Sequence, residues 1–316
     1  MANPFRFSTA MPALTGSVSQ WRDKLRRIED LGYWSVAVSD HFTAGWVMDP
    51  LIVMTAAAEA TTTLRIMPLV LANDYRHPVL LHKALATLDV LSGGRVEIGL
   101  GAGWMESDYL AANIPYDPAP VRIERLGESV EVIRGLFGDA PFSYAGKHYR
   151  ITELDGLPKP VQKPHPQLLI GGGSRRVLEL AGAAADIVGI NPVMRRDRAD
   201  GLALLDLSSE GVGKRIAIAR AAAEAAGRDP DALRYHTSIR SVDISDAPDA
   251  RPWVSSMASE VTDPAVLADS PAVLHGTVAS CVQALQQRRD QFGLDYFHFG
   301  GDPMAAAPVV ARLAGR

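Results

Sequence analysis

Cysteine occurs once in 316 residues, at Cys281, so neither an intrachain disulfide nor a thiolate metal site can be built. Its apolar neighbours Val278, Val282 and Leu285 share one helical face with it and make it a core residue. Lysine is scarce, with six against 26 arginines, and the 32 basic residues are outnumbered by 36 acidic ones. A net charge of -4 leaves no basic surplus for nucleic acid or an anionic membrane, so neither is expected as a partner. No apolar run is long enough to cross a bilayer, and MANPFRFSTAM lacks the basic-then-apolar pattern of an export signal. The expectation is a soluble cytoplasmic protein. H-E-x-x-H, clustered metal-ligand spacing, G-x-S-x-G and a P-loop ending are all missing, so the sequence offers no metal site and no nucleophile elbow.

What is present is an alternation. Short runs that are apolar on successive residues read as strands covered on both faces: 5–11, 35–39, 64–71, 95–100, 167–170, 186–190, 234–244 and 296–299. Between them apolar residues recur at helical spacing, as in Trp21, Leu25, Ile28 and Leu31, then Leu81, Leu85 and Leu88, then Leu126, Val130, Ile133 and Phe137. Gly32 and Ser92-Gly93-Gly94 supply stops, and Asp302-Pro303 supplies a start. Eight such units predict an α/β fold, a closed (β/α)8 barrel, with an open doubly wound sheet as the rival. Gly99-Leu100-Gly101-Ala102-Gly103 has the wrong spacing, and follows the wrong strand, for the dinucleotide fingerprint of that rival. Residues 1–316 read as one barrel domain with insertions at about 139–165, which holds a hairpin pattern, and 246–275.

In a barrel, polar residues at strand carboxyl ends face the catalytic mouth. Strand two ends in Asp40-His41, read either as a histidine able to move a proton near neutral pH, which Asp40 next to it could orient, or as a structural histidine bonding a backbone carbonyl. Strand three ends in Asn73 and Arg76, either a rim amide and a charge for an anion or simply a turn and helix start. The glycines at 101 and 103 allow a flat ligand close to the backbone or make a tight turn. Gly171-Gly172-Gly173-Ser174 leads into a helix and reads either as a phosphate site, made by free N–H groups and the helix dipole, or as a mere loop. Arg240 and His298, near late strand ends, are read equally well as pocket or as core. The remaining chemistry is that of a phosphate-bearing organic cofactor in a barrel mouth.

EDLGYWSVAVSDHF (29–42), LSGGRVEIGLGAGW (91–104), RIERLGESVEVIRGLF (122–137), GKHYRITELDGLPKPVQ (146–162) and LLIGGGSRRVLELAGAAADIVGINP (168–192) together resemble the luciferase-like flavin and deazaflavin oxidoreductases, most of all the branch that uses coenzyme F420. That resemblance implies a (β/α)8 barrel and a tricyclic ring in its mouth. The ring would lie near His41, Leu69, Val70, Asn73, Gly101, Ala102 and Gly103, with a non-prolyl cis peptide around Pro68–Val70 behind it. The cofactor phosphate would sit on Gly172, Gly173 and Ser174, and Asn191 would line the same site. His41 falls where sugar-phosphate dehydrogenases of the family place a functional histidine, and Trp46 and Trp104 would meet ring or substrate. A glutamate that those enzymes carry directly after the glycine turn is Trp104 here, with Glu106 two residues on. This departure argues against glucose-6-phosphate as the substrate and leaves His41 first and Glu106 second as proton donor.

The resulting expectation is an oxidoreductase moving a hydride between C5 of F420 and a small activated alkene, imine or carbonyl. The alternatives are an FMN-dependent monooxygenase fed by a separate reductase, and a protein that binds flavin or deazaflavin without turnover. The resemblance also implies a homodimer.

Overall fold

The computed structural model describes residues 3–44, 48–193, 206–246 and 270–316. Eight parallel strands form its centre: β1 (Arg6–Ala10), β2 (Ser35–Val38), a strand in two pieces, β3 (Arg65–Pro68) and β4 (Leu71–Ala72), then β5 (Ile98–Gly101), β8 (Leu168–Gly172), β9 (Ile187–Ile190), β10 (Arg234–Ile239) and β13 (Leu294–Phe299). Their order is β3-β2-β1-β13-β10-β9-β8-β5-β4. Since β3 and β4 are one strand interrupted at Leu69-Val70, the two ends of that order meet and the sheet is a cylinder. The bridge Ile66–Val96 joins the same neighbours lower down. This is a (β/α)8 barrel, and closure removes the open-sheet rival.

The strands are apolar on both sides because both are covered. β2, β5 and β9 are buried at every position. On the outer side of neighbouring β1 and β13, Phe7 stacks on Phe299 with ring centres 5.7 Å apart and on Phe297 at 6.3 Å. Inside, Ala37, Met67, Leu169, Ile187 and Tyr296 form a separate cluster with Leu69 and Val70.

Among the described residues the outer layer consists of α1 (Val18–Asp30), α2 (Pro50–Ala60), α3 (Pro78–Leu91), α4 (Glu106–Ala111), α5 (Ala119–Phe137), α6 (Arg175–Ala184), α7 (Ser209–Ala225), α8 (Val278–Phe292) and α9 (Pro303–Leu313). The stops and starts are those the sequence signals. Ser17 and Gln20 form a capping box on α1, Gly32 takes φ +82° after it, and Asp302 accepts from the Met304 N–H at the start of α9.

Two segments depart from the simple reading. The run 234–244 is two strands, because β11 (Ser241–Ile244) leaves the cylinder and pairs in parallel with β12 (Val273–Gly276). Residues 139–165 carry the expected hairpin, β6 (Phe142–Ala145) against β7 (Arg150–Leu154). Most of the 246–275 insertion lies outside the described residues. Cys281 is buried at 1% exposure, as its helical neighbours indicate.

Candidate active site

Parallel strands all end at one mouth, and the sequence-predicted residues gather there. His41 follows β2, Leu69 and Val70 separate β3 from β4, and Asn73 opens a short turn after β4. Gly101 ends β5, Gly172 ends β8, Ser174 caps α6, and Asn191 follows β9. The Leu69-Val70 peptide is cis, at the place the family resemblance indicates. Trp46 lies outside the described residues.

His41 is held, but not by Asp40. Its Nδ1 is 2.7 Å from Oδ2 of Asp108 on α4. The other oxygen of Asp108 accepts from the Phe42 and Thr43 N–H groups at 3.0 and 2.7 Å and from the Thr43 hydroxyl at 2.6 Å. Burial works against charge on Asp108, yet these bonds outweigh it and hold its carboxyl below the usual range. An ionised Asp108 only accepts, so Nδ1 of His41 carries the proton and Nε2 is the nitrogen with which the ring can act. Trp104 meets the imidazole edge to face, ring centres 5.7 Å apart. Glu106 is the first residue of α4, while the carboxylate of that helix that reaches His41 is two residues on.

Asp40 has a different task. It makes a two-pronged pair with Arg76 at 2.6 and 3.1 Å and accepts from the Ala72 N–H at 3.1 Å. Arg76 also reaches Asp49 at 3.3 Å. The Arg76 charge is therefore spent inside the protein, and 73–78 form a short turn and a helix start, with the Asn73 amide left at the rim.

The glycine pattern of β5 answers a packing need. A Cβ at Gly99 would lie 2.0 Å from the Pro68 carbonyl oxygen, and one at Gly101 would lie 2.7 Å from Cγ2 of Val70. The side chain of Val70 also sits against Gly171 of β8. These glycines give the interrupted strand room inside the barrel. Gly103 takes φ +75°, and a Cβ there would collide with the Tyr109 hydroxyl. The carbonyls of Ala102 and Gly103 accept from buried Arg122 at 3.3 and 3.2 Å.

Arg122 belongs to a stripe on α5 that ties down the rim. Arg125, three residues on, pairs with Asp74 at 2.8 Å, and Glu128 accepts from the Lys147, His148 and Tyr149 N–H groups at 2.7 to 3.0 Å. One helix face thus fixes the 101–103 turn, the 73–75 turn and the hairpin. The spacing of 122, 125 and 128 was visible in the sequence, but its targets were not.

At the Gly-Gly-Gly-Ser turn one polar side chain is unspent. Ser174 is the N-cap of α6 yet makes no capping bond, and its buried hydroxyl has no partner. The first N–H groups of the helix are likewise without intrahelical partners. Buried Asn73 has an unpartnered Oδ1. An orphaned hydroxyl beside a helix amino terminus is the donor set a phosphate requires.

Across the mouth, a cavity of about 240 Å³ opens between the ends of β1, β2 and β13. Ala10, Met11, Ala37, Met48, Leu69 and His298 are among its lining. His298 therefore belongs to the pocket, while Arg240 bonds Ala272 through its backbone N–H at 2.7 Å. Asp108, His298 and the α5 stripe are the site residues that sequence reasoning did not assign.

A closed parallel barrel whose carboxyl mouth holds His41, Asp108 and the unpartnered Ser174 hydroxyl has the arrangement in which such barrels carry chemistry. Residues 3–254 match the luciferase-like monooxygenase model, and the chain belongs to that family. It is 28% identical over 203 residues to an FMNH2-dependent dimethylsulfone monooxygenase of Pseudomonas putida, covering 59% of this chain and 56% of that one. It is 32% identical over 166 residues to an F420-dependent glucose-6-phosphate dehydrogenase of Amycolatopsis mediterranei, covering 51% and 49%. The chain thus spans about half the length of the curated relatives it matches. The crystal structure of a monooxygenase from Streptomyces bottropensis superposes with a TM-score of 0.72 at 25% identity, covering 98% of this chain and 97% of that one. The relatives include both F420-dependent oxidoreductases and flavin-dependent monooxygenases. Among the described residues no helix is long and apolar enough to cross a membrane, and no cluster of potential ligands could hold a metal ion.

Proposed function

We propose that this chain is a cofactor-dependent oxidoreductase that moves a hydride between C5 of coenzyme F420 and a small organic substrate, an activated alkene, imine or carbonyl. The observation that carries the reading is the buried, unpartnered Ser174 hydroxyl at the uncapped start of α6, which fits a cofactor phosphate. Gly172, Gly173 and Ser174 would hold that phosphate. Leu69, Val70, Asn73, Gly101, Ala102, Gly103 and Asn191 would surround the ring, with Trp104 at its edge. When bound, the deazaflavin supplies hydride chemistry with little oxygen reactivity.

The chain's own work is alignment and proton handling. His41, bonded to Asp108 through Nδ1 and so left with Nε2 to act, is the first candidate to give or take the proton that accompanies hydride transfer. Glu106 is the second. The Asp108 carboxylate fixes the ring's direction, so that the proton moves at Nε2 and not at Nδ1.

A second reading is favoured by two of the relatives, the P. putida enzyme and the S. bottropensis structure, both monooxygenases. In it the same pocket takes FMN, delivered reduced by a separate reductase. Oxygen demand separates the two. Turnover under argon with reduced F420 supports the first, while turnover only with reduced FMN and oxygen supports the second. Absence of turnover with either, across a broad substrate panel, would leave a cofactor-binding protein. In every case we propose a homodimer, checked by light scattering.

A further inference from the structure

We propose that the cavity between the ends of β1, β2 and β13 is the substrate pocket, and that His298 selects in it a small uncharged compound bearing an oxygen acceptor, such as a ketone. This deepens the oxidoreductase reading and rests on it for the pocket's role in turnover. The first argument is position. In the cylinder, β1 and β8 are four strands apart in either direction, so the cavity lies diametrically across from the Ser174 turn. A molecule anchored by its phosphate at β8 and reaching Leu69 at the centre meets the cavity beyond its far end, because Leu69 lines the cavity as well.

The second argument is chemistry. Among the described residues the lining holds no charged side chain, and its polar side chains are Ser39 and His298. An anion taken into such a space loses its hydration and meets no charged side chain in the lining, the Arg240 charge reaching His298 from beyond it. The size suits a small ring, since a cavity of about 150 Å³ already holds benzene and this one is about 240 Å³.

The third argument fixes the hydrogen bond. Nδ1 of His298 is 3.0 Å from the Ser8 hydroxyl. Ser8 is fully buried, and this is the one side-chain contact of its hydroxyl among the described residues. If Nδ1 carried the proton, the hydroxyl's own hydrogen would be left buried and unpaired. The hydroxyl therefore donates to Nδ1, and Nε2–H remains as a donor for a ligand. Burial, with the charge of Arg240 added, holds the ring's pKa down to about 4, so the imidazole is neutral near pH 7. Beneath it lies His236, fully buried, with both ring nitrogens unpartnered and its pKa held down to about 3. A neutral donor above a neutral ring selects an uncharged acceptor.

The test uses protein labelled with 15N in histidine, with the His298 signals assigned from His298→Gln. At pH 7 the ring is expected as the neutral form protonated on Nε2, and Ser8→Ala is expected to weaken that preference. Cyclohexanone at millimolar concentration, with and without saturating F420 or FMN, should shift the Nε2 signal. Methylenecyclohexane, which lacks the acceptor, and cyclohexanecarboxylate, which carries charge, should each bind at least ~10-fold more weakly. His298→Gln and, independently, the space-filling Ala10→Leu should each weaken cyclohexanone at least ~5-fold. The proposal is overturned if saturating cyclohexanone leaves the His298 signals unmoved in all samples, or if the carboxylate binds as well as the ketone. Cofactor dissociation constants measured on the same samples keep the two readings apart. Normal cofactor affinity without a ketone response sinks the pocket alone, and a ketone response without any cofactor binding sinks the oxidoreductase reading alone.

Discussion

At the amino-terminal mouth of the barrel, Glu97 is fully buried and every demand it makes is met. It accepts from the Trp34 indole N–H at 2.8 Å and the Tyr296 hydroxyl at 2.6 Å, and it pairs with Arg6 and Arg65 at 3.5 Å each. Arg6 stacks on Trp34 with 4.1 Å to the ring centre and donates to Gln167 at 2.6 Å. Ser35 completes the set through Tyr296 at 2.6 Å. At the carboxyl mouth the same strands end in groups that the protein leaves unspent, the Ser174 hydroxyl and Asn73 Oδ1. The lesson is that buried polar groups here divide by satisfaction. Where the network closes on itself it serves the fold. At Ser174 and Asn73, where it stays open, we propose that the missing partner is a ligand.

The sharpest way to break the comparison is at Glu97. Glu97→Leu removes the acceptor but leaves two guanidinium groups inside, so unfolding stability should fall by about 3–5 kcal/mol, read from the urea midpoint. A loss under about 1 kcal/mol would show that the network is not structural. At the opposite mouth His41→Ala should leave the urea midpoint nearly unchanged while turnover drops by about 10²-fold or more and cofactor affinity stays normal. Asp108→Asn should do much the same through loss of ring orientation, since it keeps one oxygen for the Phe42 and Thr43 donors but sets an NH2 donor against His41 Nδ1, with a further stability cost of about 1–3 kcal/mol. Unchanged turnover in His41→Ala excludes a catalytic role.

The pH dependence sharpens the same contrast. Burial, with the Lys159 charge added, holds His82 down to about 4, and His236 and His298 sit at about 3 and 4 against an ordinary 6.5. Between those values the unfolded chain binds more protons than the folded one. Stability from these three is therefore complete above pH 6.5 and falls as pH drops, by at most about 1.4 kcal/mol per pH unit for each ring. Asp295, pushed by burial up to about 6, acts in the opposite sense and weakens the fold as pH rises from 3.8. The net acid loss should appear in urea midpoints measured from pH 7.5 to 4.5, and His236→Phe should flatten it.

Most of the fold was legible. Eight apolar runs, Gly32, Ser92 and Asp302 carry enough local physics to count the units and place their ends. The split of 64–71 is invisible to periodicity, because Gly99, Gly101 and Gly171 make room for Val70 from other strands. The site was legible in part. Gly172, Gly173 and Ser174 announce themselves because a helix start is a local event. Asp108 does not, since it meets His41 across 67 positions of chain. Asp40, the neighbour that sequence suggests, points to Arg76. His298 read equally well as core, and only closure of the cylinder puts it beside Ser8.

The smallest change bears most directly on the central claim, that unspent polar groups at the carboxyl mouth await a phosphate-bearing cofactor. Ser174→Ala removes one buried hydroxyl that has no partner, so the urea midpoint should stay within about 0.5 kcal/mol of wild type. Calorimetric titration with F420 and with FMN should then show one of them binding the wild-type protein and a loss of at least ~5-fold in that affinity in the variant. If neither cofactor binds the wild-type protein, or if Ser174→Ala binds as tightly as wild type, the claim is contradicted.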